Sequence, residues 1–299
     1  MYAALLWDEG SDGHGGSAAA EATSARSMAM GSAFTAEIDP GFAAYHNPAS
    51  MVFLERRQLG FSHHLLPLDR RFTATNFSIP LPPTASLGVA WISAGVDKID
   101  GRTGAGQHTQ YLSTSEDAFM VSFAQQLFPW FSAGINVKIL RHQLPINEVD
   151  LSGKGIGMDF GIFVKTNSGA NLAFMIQDLN SRYQWKTDKI FERGKVYIEQ
   201  FPTLYRFGST FNYNNAYVTA DAGVVMSGSD LVGYSARLGI EYQYLEHYYL
   251  RGGFGNGRVG VGLGLDWSLF EEMDSRLDYS FTLEGAAGIS HVFTYAFSF

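Results

Sequence analysis

Charged residues of both signs recur at alternate positions along this 299-residue chain, and their spacing sets the first question about its chemistry. Asn136, Lys138, Asp159, Lys165, Arg206, Asp221, Arg237, Glu241, Arg251, Asp266, Asp278 and Glu284 each fall on the polar side of a stretch whose other side is apolar. Cations and carboxylates sharing one face could neutralise one another around a narrow lumen, or they could line a path for a polar substrate. The histidines offer less. His63 and His64 are neighbours, so in a strand they point to opposite faces and cannot hold one metal ion from one side. His142, His247 and His291 have no serine and aspartate placed to complete a triad. The glycines of "GAGQHTQ" and "GGFGNGRVG" are followed by no Lys-Ser/Thr and by no strand-to-helix step, so they read as turns rather than phosphate cradles. Cysteine is absent, which removes disulfides, thiolate metal sites and cysteine nucleophiles. A net charge of -8 with no Lys/Arg cluster argues against nucleic acid. No catalytic residue, metal or cofactor is expected, and the chain is read as a non-enzyme.

The elements that would carry these residues have period two. In "SARLGIEYQY", Ala236, Leu238, Ile240, Tyr242 and Tyr244 alternate with Ser235, Arg237, Gly239, Glu241 and Gln243. In "RVGVGLGLDW", Val259, Val261, Leu263, Leu265 and Trp267 alternate with Arg258, three glycines and Asp266. "GIGMDFGIFVKT" and "TLYRFGSTFNY" behave alike. A strand sends alternate side chains to opposite faces, so each segment has one apolar and one polar or glycine face. Counting such segments from Gln58 onward gives roughly fourteen strands, most near the 9–11 residues of a tilted bilayer-crossing strand. Long polar connections, over 95–116 and 179–202, alternate with tight ones at Pro129-Trp130, Asn167–Gly169 and Asn214. That rhythm predicts an all-β, transmembrane, antiparallel up-and-down barrel, whose even strand count returns both termini to the periplasmic side. Aromatic residues at segment ends fit the two interfacial girdles of such a barrel. No hydrophobic lumen is evident from the alternation, so an apolar ligand is expected among Phe34, Phe42, Tyr45 and Phe53.

Residues 1–57 differ from the rest. "DEGSDGHGG" reads as a flexible tail, "SAAAEATSARSMAMGSAFTA" as small and weakly helical, and Asn47-Pro48 as a turn. The opening "MYAALLWDEG" lacks a basic region, so a signal peptide is expected to be missing from the start.

One stretch carries a resemblance. "SARSMAMGSAFTAEIDPGFAAYHNPASM", with Ala25, Arg26, Met30, Gly31, Ala33, Phe34, Asp39, Ala43, Ala44, Tyr45, Asn47, Pro48 and Ala49, resembles the start of mature PorV/PorQ-type outer-membrane proteins, which belong with FadL-like barrels. "FPTLYRFGSTF", "YLRGGFGNGRVGVGLGLDW" and the phenylalanine-terminated ending resemble later blocks of the same family. The resemblance implies a fourteen-stranded barrel over 58–299 in a Gram-negative outer membrane, with 1–57 as tail and periplasmic plug or hatch. Phe34, Tyr45, Asn47, Pro48 and Ala49 would form the gate. Outer-membrane lipid and the barrel-assembly machinery become expected partners. The machinery would read Phe293, Tyr295, Phe297 and Phe299 at alternate positions of the last strand. Two functions follow: passage or binding of a small hydrophobic compound, or an accessory role as a subunit of a secretion machine working through the 95–116 and 179–202 loops. The modest outer loops depart from relatives that serve secretion.

Overall fold

The computed structural model describes residues 23–39, 41–146, 149–188, 194–255, 257–270, 273–283 and 288–299. Glu284 and the tail over 1–22 lie outside them. Fifteen strands follow a short N-terminal segment: β1 Gln58–Leu65, β2 Arg70–Leu81, β3 Ala85–Arg102, β4 His108–Phe128, β5 Phe131–Ile146, β6 Val149–Lys165, β7 Ala170–Lys186, β8 Val196–Gln200, β9 Thr203–Tyr213, β10 Ala216–Ser227, β11 Asp230–Tyr244, β12 Tyr248–Gly255, β13 Arg258–Phe270, β14 Met273–Leu283 and β15 Ile289–Ser298. All pairings are antiparallel. Fourteen strands close a ring, because β1 pairs with β15 as well as β2, with Gln58 opposite Ser298 and Leu65 opposite His291. The fifteenth, β8, pairs with the far half of β7, while β9 pairs with its near half. β8 and β9 thus act as one strand interrupted at Phe201-Pro202, where proline has no N–H to give a ladder.

Alternation sorts the side chains. On β15, Val292, Thr294 and Ala296 are buried inside, while Phe293 is exposed and Tyr295 and Phe297 are half-buried outside, and Phe299, just past the strand's end, is exposed. Leu238 and Ile240 of β11 and Val259, Val261 and Leu263 of β13 likewise stand exposed on the outer wall. A closed sheet with its apolar face outward has no unpaired edge and suits hydrocarbon rather than water. Phe128, Trp130, Tyr213, Tyr244 and Tyr248 form a row of exposed aromatics at the end where connections are tight. No helix is long and apolar enough to cross a membrane.

At the opposite end the structure corrects the expected loops. Residues 95–116 are mainly a hairpin: β3 runs on to Arg102 and β4 starts at His108, leaving a turn over 103–107. β5 and β6 likewise extend over most of 143–154, and β7 with β8 over much of 179–202. Backbone pairing continues past the bilayer, but both faces of the ribbon meet water there. Polar residues then occupy both faces and the period-two signal vanishes. Phe299 ends the chain at the tight-turn end, its N–H and carbonyl bonded to Arg57 at 3.0 and 3.1 Å. Thr23, the first described residue, lies near the other end, its carbonyl 3.4 Å from His64 Nε2. The expectation for the N terminus therefore falls outside the described residues.

Residues 23–39 and 41–54 lie within the ring, and Glu55, Arg56 and Arg57 lead out, exposed, to β1. The inner segment contains α1 (Ala25–Ala29), α2 (Ala43–His46) and a 3-10 turn (Pro48–Phe53), with Ser24 capping the first and Asn47 the last. Its close approach explains the inward glycines. A β-carbon on Gly60 would stand 2.6 Å from the carbonyl oxygen of Gly41, and one on Gly134 2.6 Å from the amide nitrogen of Ala49. On β12 and β13 the same holds for Gly253 and Gly260 against the backbone of Met28 to Gly31. Gly252, the next residue along β12, faces outward with open space around its α-carbon. Gly253→Val should therefore unseat the inner segment, at a cost of about 1–3 kcal/mol or more, while Gly252→Val leaves the barrel unchanged. Heat-modifiable gel migration together with limited proteolysis of residues 23–57 measures both.

Candidate functional site: the barrel interior

The inner segment is tied to the wall by hydrogen bonds from the polar face. Asn76 Nδ2 donates to the Gly41 carbonyl at 2.6 Å, Asn136 Nδ2 to that of Ala44 at 3.1 Å and Ser132 Oγ to that of Ala49 at 2.7 Å. Asp221 accepts from the Thr35 N–H and hydroxyl at 3.0 and 2.7 Å. At the Asn-Pro-Ala corner, Asn47 Oδ1 accepts the Ala49 N–H at 3.0 Å. Its amide donates to the carbonyls of Thr35 at 3.0 Å and Ile162 at 3.1 Å. Asn47 thus joins two parts of the segment to β6, and Pro48 and Ala49 are buried beside it.

Two ionic clusters occupy the interior. In the larger, Arg26 of α1 grips Glu241 of β11 with two parallel bonds of 2.8 and 2.9 Å and reaches Glu37 at 2.7 Å and Asp39 at 3.4 Å. Glu241 also accepts from Arg251 at 2.5 Å, and Arg251 donates to Asp278 at 2.6 Å. Such forked guanidinium–carboxylate contacts fix orientation as well as charge. Burial pushes the Glu37 carboxyl up from its usual range. Burial opposes ionisation of Asp39 too, but His46, Arg26 and Ser24 hold it below the usual range. Phe34 lies under the Arg26 guanidinium at 5.3 Å and beside the His46 ring at 4.9 Å. In the smaller cluster, Lys138 of β5 is fully buried between Asp159 of β6, at 2.7 Å, and Asp178 of β7. Asn136 donates to Asp159 at 3.1 Å.

Asp178 reaches Lys138 through a bulge. Between the pairs Ile156–Arg182 and Phe160–Ile176, β7 carries two more residues than β6. Asp178 and Asn180 take positive φ values of 58° and 54°, a region where Asp and Asn are tolerated best. The phase slip leaves Asp178 inward, with Leu179 and Asn180 both outward.

Among the expected lumen residues, the structure places Asn136, Lys138, Asp159, Arg237, Glu241 and Arg251 in the buried interior. Arg206 is half-buried on the same side, one strand from Asp221. Asp266 is half-buried and takes Arg276 at 2.5 Å. Lys165 shares the inward register but sits at the tight-turn rim, exposed, with its ammonium 5.2 Å from the centre of the Phe53 ring.

The expectation that the lumen has no hydrophobic part is corrected. Phe72 of β2, Ile92 of β3, Met120 of β4, Leu140 of β5, Tyr183 and Trp185 of β7, and Phe201 form one buried apolar cluster with Phe42 and Tyr45 of the inner segment. Tyr183 and Phe201 meet edge to face at 5.0 Å. The cluster's polar tips are satisfied at its border, Tyr183 Oη by Glu116 at 2.7 Å and Trp185 Nε1 by Glu199 at 2.8 Å. "LGVAWIS" runs apolar without a break because Trp91 faces outward while Ile92 and Ala94 face this cluster, so both faces are apolar. Glu37, His46 and Glu116 also went unmarked. Their role depends on contacts between distant segments that no spacing encodes.

The closed ring and its occupied interior define a fourteen-stranded transmembrane barrel holding its own N-terminal segment. No family model and no curated protein matches the sequence. Solved structures do share the fold. A TodX monoaromatic hydrocarbon channel mutant aligns with a TM-score of 0.68 at 14% identity, over 94% of this chain and 100% of that one. The toluene transporter TbuX of Ralstonia pickettii gives 0.65 at 15%, over 93% and 99%. A Pseudomonas aeruginosa FadL homologue gives 0.63 at 12%, over 94% and 98%. The fold is thus FadL-like over nearly the whole chain.

Arg26 is shared by three buried carboxylates, of which Glu241 also has Arg251 and Asp39 also has His46, while Glu37 pairs with no other cation among the described residues. Arg26→Met should cost about 3–5 kcal/mol, because breaking a buried pair leaves charge uncompensated. Pairing it with Glu37→Gln, which neutralises the carboxylate left without a cation, should recover part of the loss. Thermal unfolding of the detergent-solubilised barrel, followed by gel migration, reads the difference.

Proposed function

We propose that this protein is a FadL-like outer-membrane channel that binds and passes a small hydrophobic compound, with residues 23–57 as its plug. The apolar cluster inside the barrel carries this reading. Phe42 and Tyr45 of the segment pack there against Phe72, Ile92, Met120, Leu140, Tyr183, Trp185 and Phe201. An interior meant only for water or ions has no use for that surface, and a satisfied ionic network needs none of it. The fold shared with structures described as hydrocarbon channels and toluene transporters supports the same substrate class. The aromatic lining favours a flat, apolar molecule that can stack or meet ring edges.

In this reading the apolar half receives the compound and the ionic half holds the plug in place. Displacing α2 and the Asn47–Ala49 corner would remove Phe42 and Tyr45 from the cluster and connect it with the tight-turn end. The plug's hold is polar throughout that corner, through Asn47, Asn136 and Ser132. Those polar bonds can exchange for water, while the apolar surface that Phe42 and Tyr45 leave behind is what the compound would cover.

The chain is free of cysteine, so an engineered disulfide tests the gate cleanly. A β-carbon on Gly88 would stand 3.2 Å from that of Ala44, close to the 3.5–4.5 Å a disulfide spans. In liposomes, the Ala44→Cys/Gly88→Cys protein should pass toluene at the protein-free rate when oxidised and recover when reduced. Equal flux in both states would end the gating role. Flux equal to empty liposomes in the unmodified protein would end transport itself.

One observation favours the second reading. The overhanging hairpins expose Tyr111, Val196 and Tyr197, which suits an accessory subunit that docks a secretion partner. A native pull-down that loses a large partner on shortening 95–116 would support it. The ending is proposed as the assembly signal, with Phe293, Tyr295, Phe297 and Phe299 toward lipid. Deleting Phe299 should lower the yield of inserted barrel severalfold in cells while leaving the flux per folded molecule unchanged.

A further inference from the structure

The β7 bulge has an outward side that the channel reading does not use. Where Leu179 and Asn180 both turn out, the ladder with β6 is broken and a cleft of about 420 Å³ opens on the outer wall. Its floor and sides include Ile156, Met158 and Leu179, all exposed, and its upper border Lys154, Arg182 and Gln184. That volume falls in the range of sites that bury a ligand of moderate size.

The register fixes where the cleft lies. Ile139 of β5 stands opposite Ile156 of β6, which stands opposite Arg182 of β7. One row nearer the overhanging hairpins, Arg141 stands opposite Lys154, which stands opposite Gln184. All four charged or aliphatic positions on β5 and β6 point outward and are exposed. The wall therefore passes from an apolar band to a group of cations in one step, and the cleft straddles that step. Among the described residues, Arg141, Lys154 and Arg182 take part in no ion pair. One carboxylate, Asp117, stands opposite Arg141 in register, and its Oδ1 accepts the Trp91 indole N–H at 3.2 Å. A net excess of positive charge remains beside an apolar slot.

We propose that this cleft binds a phosphate-bearing glycolipid of the outer leaflet, with an acyl chain along Ile156, Met158 and Leu179 and a phosphate on Lys154 and Arg182. The charges suit an anionic headgroup, and guanidinium and ammonium groups at this depth can reach it while their stems lie along lipid. The end with overhanging hairpins is the end that faces outward in such barrels. The occupant is thus the outer leaflet's own lipid. Inorganic phosphate would satisfy the cations but leave the apolar slot empty, and a lone hydrocarbon would do the reverse.

Native mass spectrometry of the detergent-purified full chain tests the proposal. The probes are bis-phosphorylated lipid A, its phosphate-free counterpart, phosphatidylglycerol and inorganic phosphate. The unmodified protein should bind the phosphorylated glycolipid about tenfold or more tightly than the phosphate-free form, as two interfacial cations would give. The Lys154→Gln/Arg182→Gln variant should bring the two to parity, and Lys98→Gln/Lys195→Gln, which removes equal charge from the exposed hairpins, should not. Parity in the unmodified protein would overturn the proposal without needing any variant. So would equal binding of phosphatidylglycerol, displacement by inorganic phosphate, or a preference that survives Lys154→Gln/Arg182→Gln. Channel flux is not part of the readout, so failure here leaves the transport reading standing and failure of transport leaves this one standing.

Discussion

A ring of fourteen strands encloses more space than its inward side chains fill, so something else must touch the wall from within. Here it is main chain against main chain. The inner segment approaches β1, β5, β12 and β13 at glycines, where no side chain separates the two backbones. Close approach puts the segment's free carbonyls within reach of inward Asn76, Asn136 and Ser132, and those bonds satisfy a backbone that has little regular structure of its own. It also brings Arg26 to Glu241 with forked geometry. The caps, the corner at Asn47 and the ionic cluster all depend on a wall smooth enough to admit the segment.

The interior is divided as a result. The side built from β11 to β14 is glycine and paired charge, pressed against α1. The side built from β2 to β5 and β7 is apolar and pressed against Phe42 and Tyr45. A single segment therefore meets both environments: its first helix is held by charge, its second by ring contacts. Lys138, sealed between Asp159 and Asp178, belongs to neither side. It ties β5 to β6 and to the inward turn of the β7 bulge.

The sequence made the barrel plain wherever one face was lipid and the other was glycine or charge, as in "RVGVGLGLDW". Fourteen ring strands were legible on that contrast, and so was the inward set from Asn136 to Arg251. The contrast failed in two physical settings. In the overhanging hairpins both faces meet water, so β3 and β4 read as a loop beyond Ser93. In "LGVAWIS" both faces are apolar, so the run gave no hint that Ile92 looks into a hydrophobic interior. The glycines were visible as a face, but the reason for them was not. It lies in the backbone of the inner segment, which is close in the chain to Gly60 but far from Gly253 and Gly260.

The glycine contacts also bear on how this protein can change over generations. A wall residue such as Gly253 or Gly134 gains a side chain only if the segment it faces recedes, and the segment gains bulk only if the wall yields a glycine. Residues 23–57 and the strands that surround them are therefore expected to vary as matched sets, whereas the lipid-facing positions between them, Val259, Val261 and Leu263 among them, remain at liberty to exchange one apolar residue for another. The N-terminal segment of one such barrel would be a poor fit in the ring of another, even where the two rings have the same strand count.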